Sequence, residues 1–287
     1  MCSKSKSLVI SLLSVLLGTL LFSAQPAFGS IPEEGSWVKV ASYSTDNGIH
    51  GVAAIDGKIY VIDNQNTFER YDPNTNTWIT LNPPPILNPW GTITACQSKI
   101  YLVRGGQLTQ AYDPETNQWE NRTAMPKTLT WQHATAFEDK IYIISGLNPA
   151  PLSVWYPSEE TYVYDPSTDS WSTMAPIPTP VAGYASALFE SKIYIIGGGP
   201  AFTDYNNITS TSLVQIFDPK TNQWTLGKPL PKNVFGASAS TTSGIYAPKR
   251  IYVVGGSTSF NPNGRGGGGS LNVIPNQVYD LQTNNWS

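Results

Sequence analysis

Few residues in this 287-residue chain are equipped for chemistry, and their spacing limits what they can do. It holds two histidines, His50 and His133, and two cysteines, Cys2 and Cys96. Cys2 sits at the extreme N-terminus, so no disulfide framework forms and Cys96 reads as a small buried apolar residue. No Walker, dinucleotide, zinc or calcium-loop pattern is present, so neither a metal nor a cofactor is expected. His50, Asp63 and Arg104 are the ionisable candidates for acid–base work, which needs a carboxylate and a base or Arg converging on one site. Asp63 and Arg104 hold equivalent places in adjacent repeats and can pair with each other or meet a ligand. Aromatic residues are more plentiful. Trp90, Trp131, Trp155, Tyr156, Tyr184, Phe202, Tyr205 and Phe235 are candidates for stacking on a sugar ring or an apolar peptide, against the plainer reading that they pack loops over the core.

The elements that must position these residues are set by internal repetition. Lys or Arg, then Ile-Tyr and two apolar residues, recurs at Lys58, Lys99, Lys140, Lys192 and Arg250. An aromatic, an Asp and a Trp six residues later recur as Asp72 with Trp78, Asp113 with Trp119, Asp165 with Trp171, Asp218 with Trp224 and Asp280 with Trp286. Each Ile-Tyr phrase is β-branched and aromatic and bounded by turn residues, so it predicts a buried strand. An Ala-rich strand precedes it, joined through hairpin dipeptides such as Asp56-Gly57 and Glu190-Ser191. In Asp-Pro-x-Thr the carboxylate accepts local backbone N–H groups and Pro presets the turn, which accounts for the acid without chemistry. The phased Trp reads as filler between neighbouring units.

Four short antiparallel strands in each repeat of 40 to 50 residues predict the blades of an all-β propeller. With Gly105-Gly106, Gly197-Gly198 and Gly255-Gly256 after the second strand, then Tyr71, Tyr112, Tyr164 or Phe217, then the Trp, the chain resembles the kelch-repeat family over nearly all of residues 36–287. Repeat one departs, with Asp63-Asn64 where the family has Gly-Gly, and repeat three keeps only Gly146. The resemblance implies a kelch-type β-propeller of four-stranded blades. Some members are sugar-chemistry enzymes: a galactose-oxidase type needs two His, two Tyr and a Cys around copper, and a sialic-acid mutarotase type needs acid–base groups in the channel. No spacing motif here supports the copper site.

Repeats are expected at roughly 49–82, 90–123, 131–175, 182–228 and 235–287. Trp37 precedes Lys58 by the same 21 residues that separate Trp78 from Lys99, so residues 36–42 read as an unpaired fourth strand that closes the ring. The last repeat stops at Trp286-Ser287 as its fourth strand begins, and the preferred expectation is a six-bladed native ring with an incomplete C-terminus. Almost all of the length variation lies in one place, although Asp218 to Arg250 is 32 residues where the other Asp-to-Lys spacings are 27. Lys58 to Asp72 and Lys99 to Asp113 are 14 residues, whereas Lys140 to Asp165, Lys192 to Asp218 and Arg250 to Asp280 are 25, 26 and 30. The extra residues fall between the second and third strands, and strand direction puts those loops on one face, X, with the blade-to-blade connections. Recognition sites usually occupy such loops on a rigid scaffold.

The flanking signals concern location. Lys4 and Lys6 precede an apolar run from Leu8 to Phe22, and Ala27-Phe28-Gly29 offers small residues, so residues 1–29 read as a secretory signal and residues 30–287 as the propeller. No later stretch is apolar enough to span a bilayer. Formal net charge is −3, and without Lys4 and Lys6 the remainder carries 15 basic against 20 acidic residues, which argues against nucleic acid. Asn121, Asn207 and Asn285 head glycosylation sequons. The expected function is an exported, non-catalytic module binding an extracellular or cell-surface protein or glycan through face X. A sugar-processing enzyme is the alternative.

Overall fold

A computed structural model describes residues 39–45, 47–85, 91–104, 109–148, 156–200, 208–243, 248–260 and 274–287. Residues 1–29, expected to be a secretory signal, together with Trp37, Gly105, Gly106, Asn207 and the glycine run at 266–269, lie outside the described residues. Blade 1 comprises β1 (Ile49–Ile55), β2 (Lys58–Asp63), β3 (Phe68–Asp72) and β4 (Thr77–Thr80). Blade 2 follows as β5 (Thr92–Cys96), β6 (Lys99–Val103), β7 (Thr109–Asp113) and β8 (Gln118–Arg122). Blade 3 has β9 (Ala134–Phe137), β10 (Lys140–Ile144), β13 (Thr161–Asp165) and β14 (Ser170–Met174), with the ribbon β11 (Leu147–Asn148) and β12 (Tyr156–Pro157) in its loop. Blade 4 has β15 (Ala185–Phe189), β16 (Lys192–Ile196), β18 (Val214–Asp218) and β19 (Gln223–Leu226), with β17 (Ile208–Thr209) in its loop. Blade 5 has β20 (Ser238–Thr241), β21 (Arg250–Val254), β23 (Gln277–Asp280) and β24 (Asn285–Trp286), and its loop carries β22 (Ser259–Phe260), which pairs with β17 of blade 4. All five sheets are antiparallel meanders in chain order. The five four-stranded blades are the ones the five repeats predict.

In blades 1 to 4 the hairpins between first and second strands are the primed kind. Asp56-Gly57, Gln97-Ser98, Glu138-Asp139 and Glu190-Ser191 all have φ between 43° and 72°, the left-handed pair that a two-residue type I′ turn requires. The Asp turn works as the sequence implies. Asp72, Asp113, Asp165, Asp218 and Asp280 each accept a backbone N–H two residues on, from Asn74, Glu115, Ser167, Lys220 and Gln282. Each also meets the Lys or Arg that opens the second strand of its own blade: Lys58–Asp72 at 3.3 Å, Lys99–Asp113 at 3.9 Å, Lys192–Asp218 at 3.7 Å, Arg250–Asp280 at 3.0 Å, and Lys140–Asp165. The two sequence phrases are thus directly opposed across the strands.

The core is a series of slabs between blades. Side chains alternate along each strand, so one row faces the preceding blade and the other the following one. Tyr60, Ile62 and Phe68 of blade 1 pack on Ile93, Ile100 and Tyr112 of blade 2. Tyr101 and Val103 likewise meet Ile141 and Ile143, Tyr142 and Ile144 meet Ile193 and Ile195, and Tyr194 and Ile196 meet Ile251 and Val253. Cys96 lies buried in the second slab as a free thiol. The backward row of blade 1 is covered by Val40, Ala41 and Tyr43. The forward row of blade 5, Tyr252 and Val254, remains half-buried, beside a hollow of about 290 Å³ lined by Tyr252, Val278 and Trp286.

Trp does more than fill space. Its indole N–H donates to a backbone carbonyl of the preceding segment: Trp78 to Ala41 (3.0 Å), Trp119 to Asn82 (2.8 Å), Trp171 to Thr123 (3.0 Å), Trp224 to Ala175 (3.0 Å) and Trp286 to Lys228 (2.9 Å). Two residues before the Trp, an Asn or Asp at φ 48–55° completes the clamp. Asn76, Asn117, Asp169 and Asn222 accept the N–H of Ala41, Asn82, Thr123 and Ala175. Residues 39–43 therefore dock on blade 1 as each preceding exit strand docks on the blade after it.

Candidate recognition face

Face X is assembled from the loops joining second to third strands and from the connectors between blades. Backbone bridges Thr130↔Leu147, Ala182↔Gly199, Thr211↔Val234 and Phe235↔Ser257 tie connector to loop and put both sets at one end of the propeller. The residue ending the second strand is the local latch. Ser145 is fully buried, its Oγ lies 2.6 Å from the Ser158 carbonyl and 2.7 Å from the Val181 carbonyl with one proton between them, and it accepts the N–H of Val181. Gly197 fills the same place in blade 4 at φ 67°, where a Cβ would lie 2.5 Å from the Val234 carbonyl oxygen. Gly198 (φ 92°) and Gly255 and Gly256 (φ 72° and 82°) continue that left-handed passage, which side chains resist.

In blade 1 the latch is Asp63, which is wholly buried. It accepts from the backbone of Gln65 (2.9 Å) and Thr67 (2.7 Å) and from the side chains of Asn47 (2.8 Å) and Thr45 (3.1 Å). Burial pushes its carboxyl up, but these hydrogen bonds outweigh that and hold it below the ordinary range. The pairing of Asp63 with Arg104 does not occur, because both carboxylate oxygens are already engaged in shaping their own loop. Arg104 is 2% exposed, and burial lowers its guanidinium to about 10. His50 is half-buried and its Nε2 accepts the Gly91 N–H at 2.8 Å, so its ring anchors a connector. Burial, partly offset by Asn64, holds it below its usual pKa. The three ionisable candidates thus occur in one region, where Asp63 and His50 each bond loop backbone.

The aromatic candidates come together in blades 3 to 5. Trp131 and Phe235 meet edge to face at 5.3 Å, with Phe235, Leu147 and Ala182 forming a small apolar cluster against which Trp131 packs. Tyr184 is 1% exposed, donates to the Ile144 carbonyl and accepts the His133 N–H at 3.2 Å. Tyr184 and Phe235 therefore pack the loops over the core. Trp131 is half-buried, and Tyr156 on β12 is 60% exposed. In the segment that follows Tyr156, Glu160 pairs with Lys127 at 2.6 Å and its neighbour Glu159 is exposed. Trp90, Trp155, Phe202 and Tyr205 lie outside the described residues. Of the sequons, Asn121 and Asn285 are exposed on outer strands. Among the described residues no group of three or more His, Cys, Asp or Glu is placed to hold a metal ion, and no helix is long and apolar enough to cross a membrane.

Sequence reasoning missed Ser145, the Trp clamp and a pair of amides. Gln215 bonds both backbone groups of Thr179, and Gln277 both of Lys232, splinting connectors to third strands. The signal was present: Gln stands two residues before the motif aromatic in repeats two, four and five.

Comparison with known proteins matches the Kelch motif to residues 133–178 and 180–231. Kelch-like protein 25 of Xenopus tropicalis is 30% identical over 133 residues, covering 45% of this chain and 20% of that protein. Kelch-like protein 35 of Mus musculus is 34% identical over 93 residues, and Beta-scruin of Limulus polyphemus 33% over 97, covering 14% and 10% of those proteins. The chain thus matches only a minor part of the length of these curated relatives. The solved structure titled "Structure of YjhT" superposes with a TM-score of 0.62 at 14% identity, covering 84% of this chain and 96% of that one, a likeness of fold. Two Kelch-motif matches, the kelch-protein relatives and five phased motifs folded as five four-stranded blades together support a kelch-repeat β-propeller.

Proposed function

We propose that this protein is an exported recognition module that binds a partner protein through face X. The observation that carries the reading is loop asymmetry: the three lengthened loops share the face that holds Trp131 and Tyr156, while at the opposite end blades 1 to 4 have two-residue turns and each blade has a Lys–Asp or Arg–Asp pair. Kelch propellers are typically protein-binding scaffolds, which supports a protein over a glycan as partner. The roles of His50 and Asp63 as loop anchors support recognition over sugar catalysis. The test is capture from a cell-surface extract by the full secreted chain, beside a Trp131→Ala/Tyr156→Ala variant. A protein retained by the first and lost by the second supports the reading; equal capture by both overturns the face. Export predicts that the secreted protein begins at Ser30, and a mass retaining residues 1–29 overturns that part.

A further inference from the structure

On face X the connectors are tied to one another, blade to blade. In blades 3 to 5 the ties are backbone alone: the Gly183 N–H donates to the Trp131 carbonyl at 2.9 Å, and the Gly236 N–H donates to the Gly183 carbonyl at 2.7 Å. Between blades 1 and 2 the tie is a side chain. The Gly91 N–H donates to Nε2 of His50 at 2.8 Å, so a titratable ring stands where the connectors of blades 3 to 5 use a carbonyl. An imidazole that accepts at Nε2 is neutral and carries its hydrogen on Nδ1. Asn64, which replaces the second glycine of the motif in repeat one, also bonds the ring through its side chain. Gly91 is pressed against blade 2. A Cβ there would lie 2.8 Å from Cγ of Arg104 and 2.9 Å from Cδ1 of Leu102, so the connector lies directly on the end of β6. Arg104 is buried, and its charge disfavours a proton on His50. Asp63, opposite Ile49 in the register of β1 and β2, has its carboxylate engaged with Gln65, Thr67, Thr45 and Asn47. A proton on His50 therefore replaces the acceptor by a donor facing the Gly91 N–H, and adds a second cation near a buried first one.

We propose that His50 is a protonation latch on face X: neutral, it holds the connector at Gly91 to blade 1, and protonated, it releases that connector while the backbone ties of blades 3 to 5 stay closed. The latch does not depend on what face X binds. Burial in the closed site disfavours the charged ring, whereas a released His50 titrates near the ordinary 6.5. The latch is therefore shut above that pH and opens as pH falls below it.

The test compares the full wild-type chain with His50→Gln, which puts a neutral amide at the site, at about pH 7.5 and about pH 5, on either side of the ordinary histidine value. Hydrogen exchange of the Gly91 amide, taken as the ratio of wild type to variant, is expected to rise by about tenfold on acidification. His133 is present in both proteins, so its own titration cancels from that ratio. In the wild type alone, the His50 ring and the Gly91 amide are expected to titrate in NMR spectra with one shared midpoint below 6.5, while the Gly236 amide holds its position. An exchange ratio independent of pH overturns the proposal. So does a Gly91 amide that fails to move with the His50 ring, and so does one that moves in step with Gly236, because the connectors then open together. Each of these three results leaves the partner-binding role of face X standing.

Discussion

Single residues in this propeller act through what they hold. Asn117 shows it: at φ 55° its Oδ1 accepts both the Tyr112 hydroxyl (2.9 Å) and the Asn82 N–H (3.1 Å), while Trp119 clamps the Asn82 carbonyl. Asn117→Ala removes the acceptor and strains the backbone, and is expected to cost about 2–3 kcal/mol in denaturant unfolding. Asn117→Gly restores the backbone alone and is expected to cost about 1 kcal/mol less than Ala; equal losses would show that the left-handed turn contributes nothing. His133 acts through burial. Although the residue is only half-buried, desolvation holds its imidazole down to about 4, partly countered by a bond with the Tyr184 backbone. Below the ordinary value of 6.5 the unfolded chain takes up a proton that the native state refuses until pH 4, so stability falls as pH drops through that window. Melting temperature followed from pH 7 to 4 should fall less steeply for His133→Gln than for the wild type, and parallel curves would refute the buried neutral ring.

At the scale of elements, the strands were legible because their periods are short and their punctuation is strong. Lys-Ile-Tyr and Asp-to-Trp recur in fixed phase, and those phrases fold as the second strand and the third-to-fourth turn of every blade. The Asp–Lys opposition and the indole clamp were not legible, because each depends on register or on a carbonyl from another blade, and neither leaves a local pattern. The first hairpins yield a further prediction. Gln97-Ser98 occupies a type I′ turn with φ 49° and 59°, which Asn-Gly adopts with less strain. Gln97→Asn/Ser98→Gly is therefore expected to stabilise the protein by about 1 kcal/mol. Among the described residues the substitution loses one long contact, 3.4 Å from Gln97 to the Asp139 carbonyl. No gain, or a loss, in equilibrium unfolding would mean that this contact outweighs the relief of strain.

At the scale of the whole molecule, the candidate site was only partly foreseeable. Loop lengths identified face X, and strand parity put its loops together, but which aromatics remain available depends on loop packing: Tyr184 and Phe235 turned inward, whereas Tyr156 stands out. The slabs also set how stability is distributed. Blades 2, 3 and 4 each bury both rows of their strands between neighbours, whereas in blade 5 the backward row is buried against blade 4 and the forward residues Tyr252 and Val254 are half-buried. Repeat architectures gain much of their stability from such nearest-neighbour interfaces, so an element with one full interface opens at lower free energy than one with two. Blade 1 is intermediate, since Val40, Ala41 and Tyr43 cover its backward row and Ala41 bonds both Asn76 and Trp78. Native-state hydrogen exchange is therefore expected to rank the second and third strands by position, with β21 and β23 exchanging fastest, β2 and β3 next, and β10, β13, β16 and β18 slowest. Deleting the ring of Tyr43, which meets Trp78 at 5.1 Å, should speed exchange in blade 1 while leaving blade 4 unchanged. Uniform protection across all five blades, or a Tyr43→Ala effect spread over the whole propeller, would show that the ring opens as one cooperative unit and that stability is not partitioned slab by slab.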